Sequence, residues 1–170
     1  MIVGRTERLV LEPLSMRHAD GLFAALRHDA VDRFLSAPDA PSLAAVRERI
    51  ARLARGAAPD GEVWLNFVVK REDAIVGRVE ATNYRTWAEI AYLIGPEFQF
   101  QGFGREAVRW LVERLHEAGC QDVWGCVHRN NARSIALLDK LGFVEQRQSR
   151  RRLSSFDDGD LMFEHATTRI

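Results

Sequence analysis

The sequence predicts a single α+β domain: one mixed, mostly antiparallel sheet with helices on both faces. Three observations carry the prediction. Between Trp64 and Ile94 three β-rich runs follow one another across short turns, the mark of an antiparallel meander. The runs Ala88–Ile94, Arg105–Ala118 and Asp122–His128 then read as strand, long helix, strand, which implies a parallel, right-handed crossover. The length of 170 residues fits one domain, residues 1–170, with a core large enough to fold without staples.

Each element has its local reason. Arg8–Pro13 sets Leu9 and Leu11 between polar neighbours and reads as an opening strand. Ser15 can N-cap a helix through about His28, with Leu22, Phe23 and Leu26 on one face. After the loop around Pro38 and Pro41, Ser42 starts a second helix. Leu43, Val46, Ile50 and Leu53 keep helical spacing to Arg55, and Gly56–Gly61 breaks it. Trp64–Lys70 and Ala74–Thr82 flank the charged turn Arg71-Glu72-Asp73. Ala88–Ile94 extends the meander past Asn83–Thr86 until Gly95-Pro96 ends it. The helix Arg105–Ala118 buries Val108, Leu111, Val112 and Leu115, with Gly119 as C-cap. A last helix spans about Asn131–Leu141, closed by Gly142 with Phe143 behind it. Val144–Leu153 and Asp160–Glu164 read as closing strands, for about seven strands in all.

Composition excludes whole classes of function. Lys+Arg 24 against Asp+Glu 24 leaves no net charge, so no basic footprint points to nucleic acid. The 46% hydrophobic and 28% charged fractions are those of a globular chain and not of a disordered one. Lys70 and Lys140 are the only lysines; the other basic residues are arginines. Cys120 and Cys126 are too few for a disulfide framework, and with His116 and His128 they match no metal-ligand spacing, so buried thiols and no metal are expected. The start, Met-Ile-Val-Gly-Arg-Thr-Glu-Arg, lacks the apolar core of a secretory signal, and no apolar run approaches the ~18 residues of a membrane span. A cytoplasmic protein with no membrane partner is expected.

The chemistry concentrates at Gln99-Phe100-Gln101-Gly102-Phe103-Gly104-Arg105, where two glycines meet the start of an amphipathic helix just after a strand. Glycine lets the backbone approach a ligand closely, unpaired helix N–H groups attract an anion, and Arg105 adds a full positive charge. A phosphate or pyrophosphate is the natural guest, although a tight strand–helix connection would use the same residues. A P-loop would need Lys-Ser/Thr after its second glycine, and Arg105-Glu106 stands there. Gly102, Gly104 and Ala107 match the spacing of a dinucleotide turn, but about seven residues part Ile94 from Gly102 and the next strand ends Cys126-Val127-His128 without an acid.

Gln99-x-x-Gly102-x-Gly104 resembles the Q/R-x-x-G-x-G/A motif of the GCN5-related N-acetyltransferases (GNAT). Asn131-x-x-Ser134, followed by Lys140-Leu141-Gly142-Phe143, looks like that family's closing helix. Glu89-Ile-Ala-Tyr92-Leu-Ile-Gly-Pro96 and the opening Thr6–Leu11 resemble its ribosomal-protein acetyltransferase branch, so the likeness spans essentially the whole chain. The resemblance implies a sheet with a splayed parallel pair at its middle and acetyl-CoA as cosubstrate. It implies direct acetyl transfer to a primary amine, on a protein N-terminus or a small molecule. Backbone at Leu93 and Ile94 would hold pantetheine and the acetyl carbonyl. The amides of Gln101, Gly102, Phe103, Gly104 and Arg105 would hold the pyrophosphate, with Gln99, Phe100 and Ser134 also in the cofactor site, and Asn131 would cap its helix or contact pantetheine.

A protonated amine needs a base, and Glu89 and Glu80 are the two candidates, each equally readable as a solvent-facing strand carboxylate; the resemblance favours Glu89, whose position is often acidic in that branch. Many family members protonate the leaving thiolate with a tyrosine where this chain has Leu138; Ser134 is the substitute to consider, and it can equally serve as a helix-capping hydroxyl. That departure keeps a non-catalytic CoA-binding module as the alternative. His128 and Arg129 read as solvated, the four tryptophans as mainly core. Trp87 is the candidate wall for an acceptor site, shaped by Ser15–Arg55, Asn83–Trp87 and Ser154–Gly159, with Asp157, Asp158 and Asp160 as an acidic turn. A homodimer is compatible with all of this.

Overall fold

The computed structural model describes residues 3–56 and 61–167; the residues at 57–60 within the expected Gly56–Gly61 break, and the first two residues of the expected start, lie outside them. Eight strands form one sheet: β1 (Gly4–Arg5), β2 (Val10–Pro13), β3 (Val63–Arg71), β4 (Ala74–Asn83), β5 (Trp87–Ile94), β6 (Asp122–His128), β7 (Val144–Gln146) and β8 (Asp160–Ala166), in the order β1-β2-β3-β4-β5-β6-β8-β7. All neighbours are antiparallel except β5 and β6. The helices are α1 (Ala19–Leu26), α2 (Asp29–Asp32), α3 (Leu43–Leu53), α4 (Phe103–Glu117) and α5 (Ala132–Lys140).

Strand alternation explains the two faces. On β3, Phe67 and Val69 point into one core with Val108, Leu111, Leu115 and Leu138 of α4 and α5, while Val68 points into another with Leu22, Leu26, Val46 and Ile50 of α1 and α3. Ser42 caps α3 as expected, accepting from Ala45 N at 3.1 Å. The helix expected from Ser15 opens instead as a 3₁₀ turn, Met16–His18, before α1, and the single turn α2 follows it.

Two expectations about the strands also need correction. The sheet has eight strands because the two residues of β1 pair back on Val10 and Leu11, a strand too short for any pattern to show. The strand expected over Val144–Leu153 ends at Gln146. Its reason is at Arg150 and Arg151: both reach the buried Asp122 carboxylate, at 3.5 and 2.9 Å, and adjacent residues of an extended strand point to opposite sides.

Candidate functional site

The parallel pairing runs from Trp87 opposite Asp122 to Ile90 opposite Gly125 and stops there. Beyond it β5 keeps pairing with β4 as far as Gly77 opposite Ile94, and β6 keeps pairing with β8, so the middle of the sheet opens like a V. A cavity of about 490 Å³ lies at the opening. Leu93, Ile94, Gln99, Phe100, Gly102, Phe103, Gly104, Arg105, Asn131 and Ser134 border it, joined by Val31 and Phe34 from the segment expected to shape the acceptor site, and by Tyr92 and Arg133, to which the sequence assigned no role there. Gln101 stands apart: its side chain turns back to Glu97 O at 3.0 Å, and its carbonyl accepts from Arg8 Nη1 at 2.9 Å.

The glycine turn gathers unpaired backbone N–H groups at a helix start. Gly102, at φ 82° and ψ 0°, is the N-cap of α4 in the left-handed region. The first intrahelical bond comes from Glu106 N to Gly102 O at 3.1 Å, so the N–H groups of Phe103, Gly104 and Arg105 precede the ladder at the positive end of the helix. At Gly104 an added Cβ would lie 3.1 Å from Leu137 Cδ1 and 3.4 Å from Ile94, so the bare backbone keeps that side of the cavity open. Glu106 would oppose an anion in this turn. Its charge is met by Arg8, whose Nε lies 2.8 Å from Oε2, and by Thr6; burial alone would raise the carboxyl, but these donors hold it below its ordinary value. Gln99 donates to Ile94 O at 2.9 Å, closing the end of β5, and accepts from Arg133. The guanidinium of Arg133 also sits 5.0 Å from the ring of Phe100, an otherwise exposed side chain at φ 63°.

On the α5 wall, Asn131 caps the helix, accepting from Ser134 N at 3.2 Å. Ser134 Oγ meets the hydroxyl of Tyr92 at 2.5 Å. Burial pushes the Tyr92 hydroxyl up to about 12 against the opposing hydrogen bond from Ser134. Leu138 is fully buried in the core.

A smaller cavity of about 180 Å³ lies under α3, bordered by Arg49, Trp64, Asn66, Glu80, Glu89 and Ser155 among others. The two carboxylates differ. Glu80 Oε2 is held by Arg49 at 2.7 Å and by Arg78, while Oε1 takes no hydrogen bond from the described residues. Burial would raise Glu80, but the two guanidinium groups outweigh it and hold the carboxyl below its usual range. Glu89 is buried, and each of its oxygens accepts two hydrogen bonds, from the N–H and hydroxyl of Ser154 and of Ser155 at 2.5–2.9 Å.

Other expected participants lie elsewhere. Trp64, and not Trp87, borders the smaller cavity; Trp87 stacks on Tyr84 at 4.0 Å with Arg151 above it. Arg129 is tied to Gly159 O at 2.6 Å, and His128 packs against Phe34. Asp157, Asp158 and Asp160 border neither cavity. Burial pushes the Cys126 thiol up to about 12 despite a hydrogen bond with Ser155, and it raises Cys120 as well. Among the described residues no group of three or more His, Cys, Asp or Glu is placed to hold a metal, and no helix is long and apolar enough to cross a membrane.

Known proteins share this fold. The acetyltransferase (GNAT) domain family matches residues 8–144. The [ribosomal protein bS18]-alanine N-acetyltransferase of Escherichia coli (strain K12) is 32% identical over 92 residues, 52% of this chain and 61% of that protein. The chain thus spans about three fifths of the length of that relative. The uncharacterized N-acetyltransferase YoaA of Bacillus subtilis (strain 168) is 27% identical over 148 residues, 83% of this chain and 82% of that one. Among solved structures, the ribosomal-protein-S5-alanine acetyltransferase from Vibrio fischeri superposes with a TM-score of 0.79 at 15% identity, covering 99% of this chain and 98% of that one. The microcin C7 self immunity acetyltransferase MccE, in complex with acetyl-CoA and AMP, gives 0.78 at 16% identity over 95% and 94% of the two chains. A family match across most of the chain, on a sheet opened beside a glycine-capped helix, places the protein in the GNAT acetyltransferase family.

Proposed function

We propose that the protein is an N-acetyltransferase that moves the acetyl group of acetyl-CoA directly to a primary amine. One observation carries the reading: consecutive residues of one strand border both cavities, Ile90 and Ala91 the smaller, Tyr92, Leu93 and Ile94 the larger. A donor in one and an acceptor in the other meet at the middle of β5. The donor set of the larger cavity fits CoA: the free N–H groups at the start of α4, with Arg105, for a pyrophosphate, and the open edge of β5 at Leu93 and Ile94 for an amide-bearing arm. Acetyl-CoA supplies an activated acyl carbonyl. An N–H of that edge can stabilise the oxyanion formed as the amine attacks. With both thiols held protonated, no acyl-enzyme on cysteine is needed.

The carboxylates favour a particular acceptor. Both oxygens of Glu89 are saturated, and Glu80 is ion-paired and weakly basic. We assign Glu80 Oε1 to meeting the amine, its proton leaving through water, and Glu89 to holding the Ser154–Ser155 wall. Such a site suits an α-amino group, with a pKa of about 7.7–8.0, better than a lysine-like amine near 10.4. This agrees with the names of the ribosomal-protein relatives, which give an alanine of a ribosomal protein as the acceptor. A cytoplasmic location, where acetyl-CoA and nascent N-termini coexist, belongs to the same reading.

Calorimetry with CoA, and thiol release from acetyl-CoA with a panel of α-amino peptides, polyamines and lysine derivatives, test it. Binding with turnover of α-amino acceptors is expected. Binding without thiol release above background for any amine leaves the CoA-binding module, which Leu138 in the tyrosine position favours. Gly102→Val forces a β-branched residue to positive φ at the cap of α4 and is expected to weaken CoA at least tenfold by calorimetry. Undiminished affinity in that variant would detach the turn from CoA binding.

A further inference from the structure

We infer that Tyr92 is a positioning residue that holds Ser134 as the hydrogen-bond donor to the departing sulfur. The inference rests on the acetyl-transfer reading of the larger cavity. The site needs such a donor, because the position at Leu138 carries no hydroxyl and its side chain is sealed in the core against Gly125.

The pairing crosses the mouth of the V: Tyr92 comes from β5, Ser134 from the first turn of α5, and both border the cavity. The direction of the hydrogen bond follows from the partners. Tyr92 has Ser134 Oγ at 2.5 Å and, at 3.4 Å, only the Ser134 carbonyl. If the serine donated to the phenol, the tyrosine proton would have only that long contact among the described residues. If the tyrosine donates, its proton is satisfied and the serine proton is free to point into the cavity. Burial keeps Tyr92 protonated through the working pH range. A hydroxyl that accepts one hydrogen bond donates a stronger one, so Tyr92 polarises Ser134 as well as fixing its rotamer. Without that anchor, a serine in the first turn is free to turn back to the helix carbonyls. The positive end of α5 lies beside it, where a developing thiolate is favoured.

The reaction balances without either hydroxyl losing its proton. The amine nitrogen bonds to the acyl carbon, the carbon–sulfur bond breaks, and sulfur leaves with the electron pair while accepting the hydrogen bond of Ser134. The proton lost by nitrogen goes to water, and the thiolate takes one from water.

Two readouts test the inference. The first needs no turnover: ultraviolet titration of the thiolate of bound CoA. A donated hydrogen bond lowers that thiol's pKa, so Ser134→Ala and Tyr92→Phe are both expected to raise it, and the double variant to match Ser134→Ala alone. The second is steady-state kinetics, in which Tyr92→Phe is expected to lower kcat about 3- to 10-fold with the KM for acetyl-CoA unchanged. A thiol titration that Tyr92→Phe leaves where wild type has it overturns the inference, whatever Ser134→Ala does. Additive losses in the double variant overturn it too. If the titrations shift as expected while no amine is acetylated, the hydroxyl pairing stands and the acetyl-transfer reading falls.

Discussion

Arg78→Met is expected to lower the melting temperature by roughly 6–20 °C at neutral pH. Arg78 is 6% exposed, and its guanidinium reaches Asp39 at 2.6 Å and also Glu80, with Arg49 bridging the same two carboxylates. Removing one partner of a buried pair leaves uncompensated charge and costs about 3–5 kcal/mol, and at this chain length each kcal/mol moves the midpoint by about 2–4 °C. The network also has a cost of its own, because the Nε–H groups of Arg49 and Arg78 are buried without partners among the described residues. The variant should show a distinctive pH profile. Burial pushes Asp39 and Glu80 up, but the arginines hold both below their unfolded values. Depressed carboxylates stabilise the fold fully above about pH 4–5 and lose that contribution as pH falls through their folded pKa values. The melting difference between wild type and variant should therefore be largest near neutrality and shrink in acid. Equal midpoints at pH 7 would show that the buried network contributes nothing net.

The second large effect is on catalysis. Glu89→Ala is expected to reduce kcat/KM for the acceptor amine by about 100-fold, while CoA affinity stays within about twofold. That loss is roughly 2.7 kcal/mol of transition-state stabilisation, the scale of one or two charge-assisted hydrogen bonds. Four such bonds fasten Ser154 and Ser155 to Glu89 across 65 and 66 residues of sequence, and both serines border the smaller cavity. Without the carboxylate the wall is free to move and the acceptor loses its seat. A base role for Glu89 predicts something different. The acid limb of the kcat/KM profile would vanish in Glu89→Gln, whereas a clamp leaves that limb in the residual activity. A variant with wild-type kinetics would exclude both roles.

Much of this was legible in the residues. The meander, the crossover, the apolar stripe of α4 and the glycine turn follow from local patterns: turns, alternation, helical spacing and cap chemistry. What escaped reading depends on long-range geometry. Two residues of β1 carry no periodicity; their strand exists only because Val10 and Leu11 offer an edge. The arginines after Gln146 look extendable until Asp122 draws two neighbours to one side. At the site, Gln99, Gly102, Gly104 and Ser134 stand in motifs at fixed spacing and fall together on the larger cavity. The Tyr92–Ser134 pair spans 42 residues, and the arginine clamp on Glu80 joins α3, β4 and the segment before α3. No spacing rule marks such a meeting. Glu80 and Glu89 looked alike as strand carboxylates; only their partners separate an anchored post from an ion pair with one open oxygen.

The parting of β5 from β6 after Ile90 and Gly125 has a consequence for how long the molecule lasts. A sheet unzipped at its centre lacks one strand's worth of cross-links until a guest supplies them. A ligand at a hundred times its dissociation constant adds about 2.7 kcal/mol to folding. On the acetyl-transfer reading proposed above, abundance of the protein is expected to follow supply: with less acetyl-CoA bound, more molecules open at the seam and become available to proteolysis.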